Sequence, residues 1–278
     1  MGAFTHIQPG TRVLRVAEGS GSPSEWSAAL RAFQPDAATL LKSDGGAFVW
    51  RAAVLSHDCV VKLWEPRGVW ARLKLLFGGS RARRHWRGAD RLVSIGVSSA
   101  RPLALAREFG NGPPREWLVL EFVPGRTLID TLDRPELSVR AQHTLAAAVG
   151  LQVGAIVRAG LYNRDHKPSN LIVSFDGSRP TITVLDTVAI RRCPPASLRR
   201  AAQMLASLHL EPSGLGCPAR AGLRARCVRE VAAAVASRDG SRPPRPAVRA
   251  AARLLWEEAA HMVAAHGDPR PKIDPRTA

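Results

Sequence analysis

The sequence predicts an α+β fold in two lobes, a small antiparallel sheet followed by a mainly helical half. Three observations carry this. Strand-like runs bounded by turn residues cluster before residue 124, segments of helical apolar period dominate after it, and the β-rich insertion in the second half reads as a hairpin. With 278 residues and 45% hydrophobic side chains, the chain is long and apolar enough to bury a sizeable core.

The elements follow in order. Residues 1–24 end in Gly19-Ser20-Gly21-Ser22-Pro23-Ser24, a turn-prone stretch that reads as the end of a flexible arm, with order expected from Glu25 or Trp26 onward. The runs Ala38 to Lys42, Phe48 to Leu55 and Cys59 to Trp64 are separated by Ser43-Asp44-Gly45-Gly46 and Ser56-His57-Asp58, which suggests an antiparallel meander. From Ser80 to Gly96 the period becomes helical, with Ala82, Trp86, Ala89 and Val93 on one face and Arg83, Arg84, Arg87 and Arg91 on the other. A strand pair, Pro102 to Arg107 and Trp117 to Val123, closes a first lobe spanning 25–123. The second lobe, 124–266, opens with a core helix over Arg140 to Arg158, whose Leu145, Val149, Val153, Ile156 and Val157 recur at helical spacing. Leu171 to Phe175 and Thr181 to Leu185 flank the hairpin turn Asp176-Gly177-Ser178. Helices are expected over Ala196 to Leu210, Ala219 to Ala236 and Pro246 to Ala265, and 267–278 reads as a tail.

Charge is the outstanding feature of the composition. Forty Lys and Arg against 23 Asp and Glu give a formal net charge of +17. The excess is localised: residues 67–107 carry +9 and residues 190–253 carry +10, leaving the remainder close to neutral. Such fields favour an anionic partner. Arg67 to Phe77 mixes basic residues with Trp70, Leu73, Leu75 and Leu76, a composition that suits either an interfacial helix on an anionic membrane or an insertion packed on the small lobe. Nucleic acid is not the expected partner, because no helix-turn-helix, zinc-finger or aromatic ribonucleoprotein signature accompanies the charge. The four cysteines have neither metal-ligand spacing nor the density of a disulfide scaffold, and Met1 to Arg15 has no secretory pattern, so a cytoplasmic protein is expected.

The stretch that carries chemistry is Gly160-Leu161-Tyr162-Asn163-Arg164-Asp165-His166-Lys167-Pro168-Ser169-Asn170-Leu171. It leaves the core helix and enters a strand, so its polar residues sit on a loop held at both ends. Phosphoryl transfer needs a carboxylate to orient and deprotonate the acceptor hydroxyl, a cation for the transferring phosphate and an oxygen ligand for magnesium. Asp165, Lys167 and Asn170 supply these in order, and Asp186, at the end of Thr181-Ile182-Thr183-Val184-Leu185, offers a second hard oxygen ligand.

This set resembles the catalytic loop and metal-binding aspartate of the protein-kinase-like superfamily. Val60-Val61-Lys62 is similar to the third-strand lysine that holds the α- and β-phosphates, and Leu118 to Val123, with Glu121 and Val123, is similar to the strand entering the adenine-binding hinge. The resemblance covers about Ala38 to Leu208. It implies ATP and Mg2+ as cofactors, with Lys62, Gly45, Gly46, Glu121 and Val123 toward the nucleotide, Asn170 and Asp186 toward the metal, and Asp165 and Lys167 in catalysis. Within the superfamily the chain resembles the lipopolysaccharide kinases, on Ser80-Arg81-Ala82-Arg83-Arg84-His85-Trp86, Leu92 to Pro102 and Met204 to Leu208. That resemblance implies phosphorylation of a Kdo or heptose hydroxyl of an anionic glycolipid, at the cytoplasmic face of a membrane approached through segments 67–107 and 190–253.

Three positions depart from the pattern. The glycine-rich loop is reduced to Gly45-Gly46, Asn163 stands where a histidine is usual, and His85 occupies the helix position of the glutamate that would pair with Lys62, with Asp90 as a substitute carboxylate. Two alternatives follow: a protein or small-molecule kinase of the same fold, or a catalytically inactive kinase-like scaffold that binds anionic surfaces.

Overall fold

A computed structural model describes residues 11–44, 46–66, 68, 79–108, 114–132, 137–237 and 241–269. The chain divides into two compact units, Met1–Ala89 with Ala100–Val123, and Asp90–Ser99 with Pro124–Ala278.

Alternation of side chains along the strands builds the first unit. Six antiparallel strands, β1 (Thr11–Val16), β2 (Thr39–Asp44), β3 (Ala47–Val54), β4 (His57–Trp64), β5 (Pro102–Glu108) and β6 (Arg115–Glu121), lie in the order β1-β5-β6-β4-β3-β2. In β4, Cys59, Val61 and Leu63 are buried in one cluster with Trp26, Leu30, Phe33, Trp50 and Trp117. Lys62 shares the opposite face with Val60 and Trp64, where exposure is intermediate. Helix α1 (Pro23–Ala32) supplies Trp26 and Leu30 to that core, and Phe33 follows directly. Its start is fixed by a capping box, in which the Glu25 amide donates to Ser22 Oγ and the Ser22 amide donates to the Glu25 carboxylate.

The expected flexible arm over 1–24 is corrected at residues 11–24, residues 1–10 lying outside the described ones. Thr11–Val16 is an edge strand paired with β5, from Thr11 opposite Glu108 to Val16 opposite Ala104. The Gly-Ser stretch after it is also ordered: Ser20 Oγ donates to the carbonyls of Ala17 and Leu103, and the Trp26 indole donates to the Ser20 carbonyl.

The helix expected over Ser80 to Gly96 is α2, Arg81–Val93. Its first turn is held by a residue that nothing in the local sequence marks. Glu116 of β6 is buried, accepts from the Ala82 amide at 3.1 Å and pairs with Arg107 at 3.3 Å. A carboxylate at a helix N-terminus meets both unsatisfied N–H groups and the positive end of the helix dipole.

The second unit is mainly helical, with β7 (Arg126–Thr127), α3 (Leu128–Leu132), α4 (Val139–Arg158), β8 (Leu161–Asn163), β9 (Leu171–Asp176), β10 (Arg179–Val184), β11 (Ile190–Arg192), α5 (Leu198–Gly214), α6 (Ala221–Ala236) and α7 (Arg245–His266). The hairpin forms as expected, with Asp176 opposite Arg179 and Leu171 opposite Val184. Two glycines let α4 and α6 approach closely. A Cβ on Gly150 would collide with the Cys227 carbonyl, and one on Gly154 would stand 2.5 Å from Ala234 Cβ. Gln152, the polar residue in the apolar run of α4, is buried and donates to the Ile182 carbonyl at 2.9 Å, tying the helix to the hairpin.

Candidate active site

The Asp165 loop hangs between the short strand β8 and a 3-10 turn at Pro168–Asn170 that runs into β9. Four interactions within the second unit fix its shape. Asn163 is buried; its Oδ1 accepts from the Asp165 amide at 3.1 Å and its Nδ2 donates to the Asp186 carbonyl at 3.5 Å. The asparagine therefore ties the loop to the segment that bears Asp186, which explains how a residue other than histidine can occupy this position. Asn170 turns its Nδ2 to the carbonyl of Asp165 at 3.1 Å and to its carboxylate at 3.4 Å. The Leu185 amide donates to the Asn170 carbonyl at 2.8 Å, placing Asp186 one residue from a direct backbone link to Asn170.

The fourth interaction is not announced by the sequence. Glu211, buried in α5, accepts from the Ser169 amide at 2.8 Å and from the Ser169 hydroxyl at 2.6 Å, with Lys167 Nζ 3.9 Å from the same carboxylate. One signal could have found it: Glu211 is one of only three acids in the arginine-rich stretch 190–253. A lone acid among cations, followed by Pro212 inside a helix, is a candidate for a buried partner.

Asp165, Lys167, Asn170 and Asp186 thus belong to one hydrogen-bonded group in the second unit. Their donor set suits magnesium: with Nδ2 committed to Asp165, the Asn170 amide oxygen is directed the other way, and Asp186 adds a carboxylate whose Oδ1 also accepts from the Val188 amide at 3.0 Å. Magnesium is typically held by one or two protein oxygens together with phosphates and water. His166, which lies inside the loop, is fully buried, so it does not face an acceptor; burial pushes its imidazole down to about 4.

The remaining sequence-predicted residues, Asp90 apart, lie in the first unit. Lys62 is in mid-strand, opposite Val49 on one side and Leu118 on the other. Gly46 has φ +90° and its carbonyl accepts from the Glu65 amide; Gly45 lies outside the described residues, as does most of 67–78. Glu121 ends β6, and its amide is used by the Arg101 carbonyl at 2.8 Å. The Phe122 amide donates to the Asp58 carbonyl, and the Arg51 guanidinium, chelated by Asp58, lies 3.6 Å over the Phe122 ring. Val123 follows at the end of the unit. His85 is buried in α2 and Asp90 is exposed on it.

A cavity of about 790 Å³ also lies in the second unit, lined mostly by apolar side chains of α4 to α7 such as Leu145, Leu205, Val228 and Val263. None of Asp165, Lys167, Asn170 or Asp186 lines it.

Comparison with known proteins adds one decisive finding. No family model matches the chain, and no curated protein matches it in sequence. Among solved structures, WaaP in complex with acyl carrier protein is similar, with a TM-score of 0.60 over 91% of this chain and 98% of that chain, at 20% identity. The fold is kinase-like. The kinase-like architecture accounts for the antiparallel sheet that precedes a helical half and for the position of the Asp165 loop between a helix and a hairpin. Among the described residues, no helix is long and apolar enough to cross a membrane.

Proposed function

We propose that this protein is an ATP- and magnesium-dependent phosphotransferase that phosphorylates a sugar hydroxyl of an anionic glycolipid, most simply a Kdo or heptose of the lipopolysaccharide inner core. The observation that carries the reading is the bonded group Asn163, Asp165, Asn170 and Asp186 on a kinase-like fold. The likeness to WaaP supports the fold of this reading, and the choice of acceptor rests on the resemblance of residues 80–86, 92–102 and 204–208 to the lipopolysaccharide kinases.

The Asp165 carboxylate accepts the proton of the attacking hydroxyl. Asn170, bonded to both the carbonyl and the carboxylate of Asp165, keeps that base oriented. Lys167 contacts the transferring phosphate, restrained by Glu211, and Lys62 anchors the α- and β-phosphates. Asn170 and Asp186 hold Mg2+, which when bound supplies charge neutralisation to the phosphate oxygens. The acceptor is anionic, and the +17 charge draws it, or the anionic membrane surface bearing it, from the cytoplasmic side.

The buried His85, standing where a lysine-pairing glutamate is usual, favours one second reading: an inactive kinase-like scaffold. Thermal unfolding with millimolar Mg-ATP separates the two. Active protein should be stabilised, since a ligand that binds only the folded state shifts unfolding by mass action, and Asp186→Ala should abolish the metal-dependent part. Absence of any shift with Mg-ATP would support the scaffold.

A further inference from the structure

The ribbon that delivers Asp165 carries an unneutralised cluster of arginines. In the β8–β11 pair, Arg191 stands opposite Tyr162 and Ile190 opposite Asn163, and the Arg164 amide donates to the Ala189 carbonyl at 3.4 Å. Side chains alternate across such a ribbon. Leu161, Asn163 and Ile190 therefore share one side, and all three are buried. Tyr162 and Arg191 share the other side, where both are half-buried, and Arg164, in the turn directly after β8, is exposed. Arg200, from the first turn of α5, adds a third guanidinium 4.5 Å over the Tyr162 ring.

Two of these guanidinium groups are held by neutral partners. Arg200 Nη1 donates to Gln203 Oε1 at 2.9 Å, and Arg191 Nη1 donates to the carbonyls of Val188 and Ile190 at 3.2 and 3.3 Å. Among the described residues, no carboxylate pairs with Arg164, Arg191 or Arg200. Elsewhere arginines are matched by acids, as Arg51 is by Asp58, Arg107 by Glu116 and Arg115 by Glu65. Two positive charges fixed by an aromatic face, an amide and backbone carbonyls, with a third on exposed Arg164, present planar N–H forks. That geometry matches the oxygens of a phosphate or carboxylate.

We propose that Arg191 and Arg200, gathered round Tyr162, together with the exposed Arg164 two residues further along the chain, form the subsite for an anionic group already on the acceptor, a phosphate monoester or a carboxylate. Binding there sets the acceptor hydroxyl at Asp165, which adjoins Arg164 in the chain. The proposal rests on the phosphotransfer reading and specifies how its acceptor is recognised.

The test uses the full chain and a delipidated lipopolysaccharide inner-core oligosaccharide in three forms: untreated, phosphatase-treated and carboxyl-reduced. Calorimetric titration compares the parent with Arg191→Gln, Arg200→Gln and the double variant. Because Arg191 also braces its own backbone, Arg200→Gln, which leaves that bracing intact, and a thermal melt of each variant keep the result interpretable. At least tenfold weaker binding of the untreated form is expected in the double variant. One of the two chemical treatments should weaken binding to the parent equally and cause no further loss in the double variant, and which treatment does so identifies phosphate or carboxylate as the group bound. In turnover assays the same variants should raise KM for the acceptor about tenfold with kcat little changed. Equal affinity of parent and double variant, indifference of the parent to both treatments, or no binding by the parent would overturn the proposal. So would mass spectrometry showing a phosphorylated residue of the chain itself whose removal tightens oligosaccharide binding, since that residue would then be the occupant. Arginine-dependent binding without phosphoryl transfer from ATP would leave the subsite standing and remove the reaction instead.

Discussion

Glu211 and Ser169 are joined by two hydrogen bonds, from the amide at 2.8 Å and from the hydroxyl at 2.6 Å, across 42 residues of sequence. The carboxylate lies in α5, and the serine lies in the turn that carries Lys167 and Asn170. Hydrogen bonds to a charged group contribute roughly 1.5–3 kcal/mol each to stability. Glu211→Ala should therefore lower stability by about 2–4 kcal/mol, read from urea unfolding. Glu211→Gln, which keeps one acceptor oxygen, should lose less stability and yet still reduce turnover, because Lys167 loses its restraining charge.

Asn163 predicts a second effect. Asn163→Ala leaves the Asp165 amide without its partner and cuts the link to Asp186, at a cost of about 1–3 kcal/mol. Phosphoryl transfer should fall at least tenfold with little change in the KM for ATP, as measured by initial rates over a range of nucleotide concentration. A variant that transfers phosphate at the parental rate would show that the bridge does not position Asp165.

The glycine contacts in α4 predict a stability effect with no catalytic chemistry. Gly154→Leu should force α4 from α6 and destabilise the second unit by several kcal/mol, roughly the upper end of overpacking costs. Gly177→Ala, in the open hairpin turn with nothing within 4 Å of an added Cβ, should cost only about 1 kcal/mol through its positive φ. Paired thermal melts compare the two.

His166 gives the protein a pH dependence. Burial lowers its folded-state value to about 4 from the ordinary 6.5. Its contribution is fully present above about 6.5, where both states are neutral. It is lost as pH falls, because the unfolded state takes up a proton that the folded state refuses. Stability should decline by up to about 1.4 kcal/mol per pH unit between pH 6.5 and 4. His166→Leu should flatten that part of the profile in urea titrations run at stepped pH.

How much of this was legible in the sequence depended on the range of each interaction. The hairpin around Asp176-Gly177-Ser178 and the core helix are local signals, and local signals read well. Thr11–Val16 was read as arm because its pairing partner β5 lies some ninety residues away and a Gly-Ser stretch follows it. Glu116 and Glu211 were missed for the same reason. Nothing adjacent to either residue announces that its carboxylate will meet a helix N-terminus or a serine far along the chain. Asn163 was legible as a departure from a pattern, but its role emerged only from the atoms it bridges.

The account rests on Asp165 as the base. The most direct measurement is transfer of label from γ-labelled ATP to lipopolysaccharide inner core by the purified chain with magnesium, comparing the parent with Asp165→Asn. The account predicts transfer by the parent and a loss of at least a hundredfold in the variant, with Mg-ATP protection against thermal unfolding retained. Equal transfer by both proteins would contradict it.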